Sequence, residues 1–146
     1  MRELPRQLTV DQLEELFEGR TMLVERLAEV EDPLLHADEI LSTLTEDEKL
    51  AALDAHPAIG QRDGLSARSA DEQGLDDDPA VLAELAELNR RYEKHFGFRF
   101  VVFVNRRPKA EIVPILRERL ERTRDEELDT ALTELVAIAR DRWRRG

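Results

Sequence analysis

Apolar residues recur along this chain at three- and four-residue intervals, the spacing that lays one face of a helix against a core. Leu13, Leu16 and Phe17 make such a face just after Thr9 and Gln12, a capping box, and predict a helix from about Val10 to Glu18, ending before Gly19. A second helix is predicted over about Thr21 to Val30, on Met22, Leu23, Leu27 and Val30, with Asp32-Pro33 ending it. A third, about Leu35 to Leu44, turns Ile40, Leu41 and Leu44 to one side. Thr45 with Glu48 repeats the box and opens a helix from Glu46 to Ala55, which must stop near His56 because Pro57 follows. Asp78-Pro79 reads as an N-cap followed by proline at the first helical position. That helix carries Val81, Leu82, Leu85, Leu88 and Tyr92, and runs to about His95 before Gly97. Pro108 opens another helix, with Pro114 a point for a kink. Thr123 with Glu126 starts a long last helix reaching about Arg144.

One stretch breaks the helical period. Phe96 to Asn105 reads FGFRFVVFVN, and Phe100 to Val104 is continuously apolar and β-branched or aromatic, a buried-strand signal. No second strand candidate exists to pair with it, and an isolated strand leaves its backbone groups without partners. The expectation is therefore an all-α fold: a single compact multi-helix domain over residues 1–146, with one buried extended segment at about 98–105. A chain of this size buries roughly two thirds of its unfolded surface and needs no disulfide or metal to fold.

Composition narrows the partners. There are 33 acidic against 22 basic residues, a net charge of -11, so the average surface repels nucleic-acid backbones. The basic clusters at Arg106, Arg107 and Lys109 and at the C-terminal RDRWRRG read as charges complementing helix dipoles. The absence of cysteine removes a thiol nucleophile and Cys-ligated zinc and is compatible with a reducing compartment. No apolar run approaches the ~18 to 20 residues that span a bilayer. The start, MRELPRQL, lacks the apolar core of a secretion signal, and the end, Arg-Arg-Gly, is not a peroxisomal address. The expected setting is the cytoplasm, with neither membrane nor nucleic acid as partner.

Three places carry candidate chemistry. His56, one of three histidines, is held at a helix end beside a loop rich in small residues. It either bonds a carbonyl as a helix terminus or serves as an acid/base near neutral pH. A metal site is disfavoured, because His36, His56 and His95 have no histidine partner at i+3 or i+4. Ser69, Glu72 and Gln73 have the i, i+3, i+4 spacing that places them on one helical face. Ser-x-x-Glu is also a capping box, so Ser69 has a local role available while Glu72 and Gln73 suit a ligand rich in N–H and C=O groups. The polar patch from Gln61 to Asp78 that contains them is the one candidate flexible loop. On the last helix, Leu128, Ala131, Leu132, Leu135, Ile138 and Ala139 make an apolar stripe. At ~100° per residue, Arg142 falls about 20° from Leu135 and Arg140 about 140° away, toward water. An inward arginine needs a carboxylate, from Glu72 or a ligand, unless it reaches out to solvent at a frayed end.

Taken together, HPAIG (His56 to Gly60), SADEQ (Ser69 to Gln73), LNRRYEKHFGFRFVVFVN (Leu88 to Asn105) and KAEI (Lys109 to Ile112) resemble the bacterial OHCU decarboxylases. These act on 2-oxo-4-hydroxy-4-carboxy-5-ureidoimidazoline in urate breakdown. The resemblance runs from the first helices to the IARDRW segment. It implies decarboxylation to (S)-allantoin by a compact all-α homodimer with no metal or organic cofactor. It also implies His56 as catalytic acid/base with Glu72 beside it, and Arg142 as the site arginine. Pro57, Ser69, Gln73 and the segment Val102, Phe103, Val104, Asn105 and Arg106 would contact the substrate, the last five largely through backbone groups. Two departures stand out: the loop after HPAIG is short, and family members usually have Gly-Arg or Gly-Lys where this chain has Arg106-Arg107. The competing class is a non-catalytic helical module, such as a histidine phosphotransfer or adaptor domain. A phosphotransfer histidine sits exposed in mid-helix, whereas His56 precedes proline.

Overall fold

The computed structural model describes residues 3–59 and 78–146, and within them the chain folds as seven helices and no strand. They are α1 (Val10–Phe17), α2 (Met22–Leu27), α3 (Ala37–Ser42), α4 (Glu46–Asp54), α5 (Pro79–Phe96), α6 (Lys109–Leu120) and α7 (Arg124–Arg145). None of them is long and apolar enough to cross a membrane.

All three predicted capping boxes form. The hydroxyls of Thr9, Thr45 and Thr123 accept from the backbone N–H of Gln12, Glu48 and Glu126, whose side chains accept in turn from the threonine N–H. Each box contributes on the order of 1 kcal/mol to its helix. Asp78 caps α5 by accepting from Ala80 N–H at 3.0 Å, and Gly97 ends it at φ 82°, a conformation that disfavours any side chain. Both α2 and α3 are shorter than their apolar spacing suggests. Arg140 of α7 donates to the carbonyls of Leu34 and Leu35 at 2.7 and 3.4 Å, holding the turn between α2 and α3 out of helix. Pro114 lies within α6 on its exposed side, and α6 continues through it as one element. There the carbonyl that loses its bond can be served by water.

The last helix is the hub: α7 packs against α1, α3 and α4, while α5 pairs with α6. Glu127 near the start of α7 is fully buried. Its carboxylate accepts from Tyr92 Oη at 2.6 Å, Arg119 Nε at 2.7 Å and Arg122 Nη1 at 2.8 Å. Burial and this carboxylate push the Tyr92 phenol upward from its ordinary range, so it stays a donor. Tyr92 also stands edge-on to Phe98 and Phe100, with ring centroids 5.9 and 5.2 Å apart.

The segment after Gly97 is extended, irregular and largely buried, as expected, and has no partner strand among the described residues. Side chains replace the missing strand. Arg119 Nη1 donates to Val101 O at 2.7 Å, and Phe103 N–H donates to Glu134 Oε1 at 3.4 Å. Arg107 donates to the carbonyls of Phe103 at 2.6 Å and Val104 at 2.9 Å. This corrects the dipole reading of the 106–109 cluster. Arg106 and Arg107 precede α6 and Lys109 is its first residue, all at the end where the dipole repels positive charge. Arg107 is there to satisfy extended carbonyls, and Lys109 is buried at 5% exposure.

Candidate functional site

The C-terminal end of α4 presents His56. Ala55 keeps helical dihedrals and His56 N–H still donates to Leu53 O at 3.1 Å, but Pro57 cannot continue the ladder. The imidazole is buried, 8% exposed, and among the described residues its Nδ1 has no hydrogen-bond partner. Burial is the main reason its pKa falls to about 3. The charges of Arg142 and, more weakly, Arg99 push the same way, and Glu18 opposes them. His56 is therefore neutral at pH 7, with an acceptor or donor position open in a buried setting.

Arg142 arrives from α7, inside the apolar stripe as its helical phase required, and is 1% exposed. Its Nη1 donates to Leu16 O and pairs with Glu18 Oε1, both at 3.0 Å. Among the described residues, the carboxylate facing Arg142 is Glu18 at the end of α1, a residue that periodicity alone did not single out. Glu18 has φ 67°, a left-handed conformation that costs a non-glycine residue roughly 1 to 2 kcal/mol. The buried ion pair offsets that cost. Gly19 eases the approach: a Cβ there would stand 3.0 Å from Ala55 Cβ, tighter than ordinary contact, so a side chain would push the α1 corner away from the end of α4. The reading of Arg140 as solvent-facing is corrected. It is 27% exposed and clamps the turn before α3, because α7 is flanked on more than one side.

The extended segment joins the site through Arg99, whose Nη1 donates to His56 O at 2.7 Å. Sequence reasoning passed over Arg99, although a lone charge between Phe98 and Phe100 signals a residue with a buried partner. Farther along, Val102 and Val104 are buried, Phe103 is partly buried, and Asn105 and Arg106 are exposed. The last two form a left-handed turn, at φ 51° and 60°, closed by Arg107 N–H on Val104 O at 3.1 Å. Three backbone groups expected to await a ligand, Phe103 N–H and the carbonyls of Phe103 and Val104, are occupied by Glu134 and Arg107. Pro57 is half-buried beside His56. Ser69, Glu72 and Gln73 lie outside the described residues, as do Gly60 and the rest of the loop to residue 77.

Fold and site together define a small all-α protein organised around a neutral, buried histidine and a buried arginine held by glutamate. The chain belongs to the OHCU decarboxylase family, whose model matches residues 2–144. It is 33% identical over 99 residues to the 2-oxo-4-hydroxy-4-carboxy-5-ureidoimidazoline decarboxylase of Halalkalicoccus jeotgali, a match taking in 65% of this chain and 56% of that protein. The chain thus spans little more than half the length of this relative. It is 28% identical over 141 residues to the protein of the same name from Haloferax volcanii, across 89% of this chain and 83% of the other. Its fold superposes on a crystal structure of OHCU decarboxylase in the presence of (S)-allantoin with a TM-score of 0.75 and 26% identity, covering 90% and 94% of the two chains.

Proposed function

We propose that this protein decarboxylates 2-oxo-4-hydroxy-4-carboxy-5-ureidoimidazoline to (S)-allantoin and carbon dioxide, a step of urate degradation. The observation that carries the reading is the neutral, buried imidazole of His56 with its open Nδ1, in the field of Arg142. The substrate's carboxylate stands beside a ring C=N bond. As the bond to the carboxylate breaks, its electron pair moves into that C=N system, so the substrate is its own electron sink. The ring nitrogen that receives the pair takes up a proton from solvent, the hydroxyl carbon becomes a carbonyl as its O–H proton leaves, and the neighbouring ring carbon gains a proton on one face. That last delivery sets the hand of the product.

His56 is suited to accept the hydroxyl proton because it is uncharged before substrate arrives. A pKa of about 3 alone makes a weak base at pH 7. An anionic substrate drawn toward Arg142 offsets the cationic field and raises the imidazole toward the useful range. Glu72 is proposed to share the proton traffic, and Pro57, Ser69, Gln73 and Val102 to Arg106 to hold the substrate. Positioned acid/base catalysis of this kind is worth on the order of 10² to 10⁴ in rate.

The histidine phosphotransfer alternative is disfavoured by the burial of His56 at the end of α4. The test is to supply freshly made substrate and follow the optical signal and proton spectrum of allantoin with the protein and with His56→Asn. A rate at least 10²-fold lower in the folded variant is expected; equal rates would remove His56 from the chemistry. A homodimer acting in the cytoplasm belongs to the same proposal, supported by the family resemblance. Light scattering on the purified protein and fractionation of cells decide these two points.

A further inference from the structure

Arg99 makes more contacts to the His56 helix end than any local rule requires. Its backbone N–H donates to Asp54 Oδ1 at 3.1 Å, and its Nη1 donates to Asp54 O at 3.3 Å and to His56 O at 2.7 Å. On its other side Nε pairs with Glu93 Oε1 at 3.3 Å, which fixes the guanidinium against α5. The last carbonyls of a helix have no intrahelical donor, and Pro57 has no N–H to offer. One residue therefore supplies the missing donors at the terminus of α4. Phe98 and Phe100 on either side of it are 2% and 1% exposed, so the backbone carrying Arg99 is anchored in the core. Among the described residues the imidazole has no hydrogen bond at Nδ1 to orient it, so packing and its backbone hold the ring. The place of the ring is set by its backbone, and that backbone is tied to the extended segment by Arg99.

We infer that Arg99 is a positioning residue for His56: it locks the α4 terminus to the extended segment and so fixes the imidazole relative to the substrate-facing backbone. It touches only main-chain atoms of His56 and none of the reacting atoms. The inference rests on the decarboxylase reading for its kinetic consequence but not for its structural one. Among the described residues, three charged groups face the imidazole: Arg142 from α7, Glu18 from the end of α1, and Arg99. Loss of Arg99 removes a cation, and the imidazole then protonates more readily.

The experiment uses Arg99→Gln and Arg99→Lys in the full chain. For Arg99→Gln, kcat is expected to fall about ten- to hundredfold, the cost of a misplacement of about 1 Å. KM should stay within about twofold, since no proposed binding group is altered. Arg99→Lys keeps the charge and one donor and should recover most of the loss. In parallel, the imidazole resonances of His56 are followed by NMR against pH without substrate. They should shift and titrate at higher pH in Arg99→Gln and remain near the parent in Arg99→Lys. A folded Arg99→Gln with unchanged His56 resonances overturns the inference, whether or not the protein turns over this substrate. Unchanged resonances with an inactive parent protein would count against both readings, whereas shifted resonances with an inactive parent count against the decarboxylase alone. A rise in KM at constant kcat would make Arg99 a binding residue and overturn the inference as well.

Discussion

Replacing Arg142 with Gln is the most informative perturbation of the site, because structure and chemistry make separate demands on that residue. Arg142 is 1% exposed, and its partner Glu18 is 13% exposed at 3.0 Å. Removing one member of a buried pair costs about 3 to 5 kcal/mol, because the other is left without compensation. The partial exposure of Glu18 places this case at the lower end. A Gln side chain that keeps a bond to Leu16 O or to Glu18 returns about 1 kcal/mol. The net expectation is a loss of about 2 kcal/mol, or a fall in Tm of about 4 to 8 °C for a domain of this size. Activity per folded molecule should fall at least about tenfold, ~1.4 kcal/mol of transition-state stabilisation, because Gln lacks the charge that holds an anion.

The control that separates the two effects is Glu18→Gln combined with Arg142→Gln. The double variant removes both members of this pair, so most of the lost stability should return, while activity should stay low. Arg140→Gln tests the neighbouring arginine. It removes the clamp on Leu34 O and costs on the order of 1 kcal/mol of stability. Its turnover should remain within about twofold of the parent. Steady-state decarboxylation and thermal melts by circular dichroism measure both quantities. Recovery of full activity in the double variant, or equal losses at Arg140 and Arg142, would refute the assignment of Arg142 to the anion.

Three further outcomes follow from the same structure. The imidazole of His56 has a pKa of about 3 in the folded protein against an ordinary 6.5, so the unfolded chain binds more protons below pH 6.5 and stability falls as pH drops through that value. From pH 7.5 to pH 5 this group alone removes about 2 kcal/mol; in urea melts at the two pH values, His56→Asn should lose less by that amount. Glu127→Ala leaves Arg119 and Arg122 facing a void and should cost at least about 3 kcal/mol, against about 1 for Tyr92→Phe; a similar loss from the two in denaturant titrations would contradict the network. Turnover should survive exhaustive chelation, as the family resemblance implies a reaction without metal; a loss restored by a divalent cation would overturn the cofactor-free mechanism.

What the chain made legible in advance was whatever depends on neighbours within a turn or two. Thr9, Thr45, Thr123 and Asp78 each meet their bonding partner within three residues, so their caps stand in the sequence itself. The extended segment was legible by a different route: its residues suit a strand, and the sequence offers no second strand candidate to pair with it. The groups that satisfy it, Arg119, Glu134 and Arg107, could not be named beforehand, because two of them come from other helices whose packing is set by the whole core.

The two arginines of α7 show where periodicity stops. The phase of a helix identifies the middle of its buried face, so Arg142, about 20° from Leu135, was placed correctly. It does not give the width of that face. Because α7 packs against α1, α3 and α4, a residue about 140° from the centre still meets protein, and Arg140 closes on the carbonyls of Leu34 and Leu35. Nor does phase identify a partner. Glu18 reaches Arg142 only because α1 ends in a left-handed turn and Gly19 allows that corner to close on Ala55. The same closure brings Glu18 and Arg142 into the field of His56, at the end of α4. The histidine announced itself through the proline that follows it. Burial above all keeps it neutral, and the charges that act on it, Arg142 and Arg99 with that effect and Glu18 against it, come from three other segments that only the assembled fold brings together.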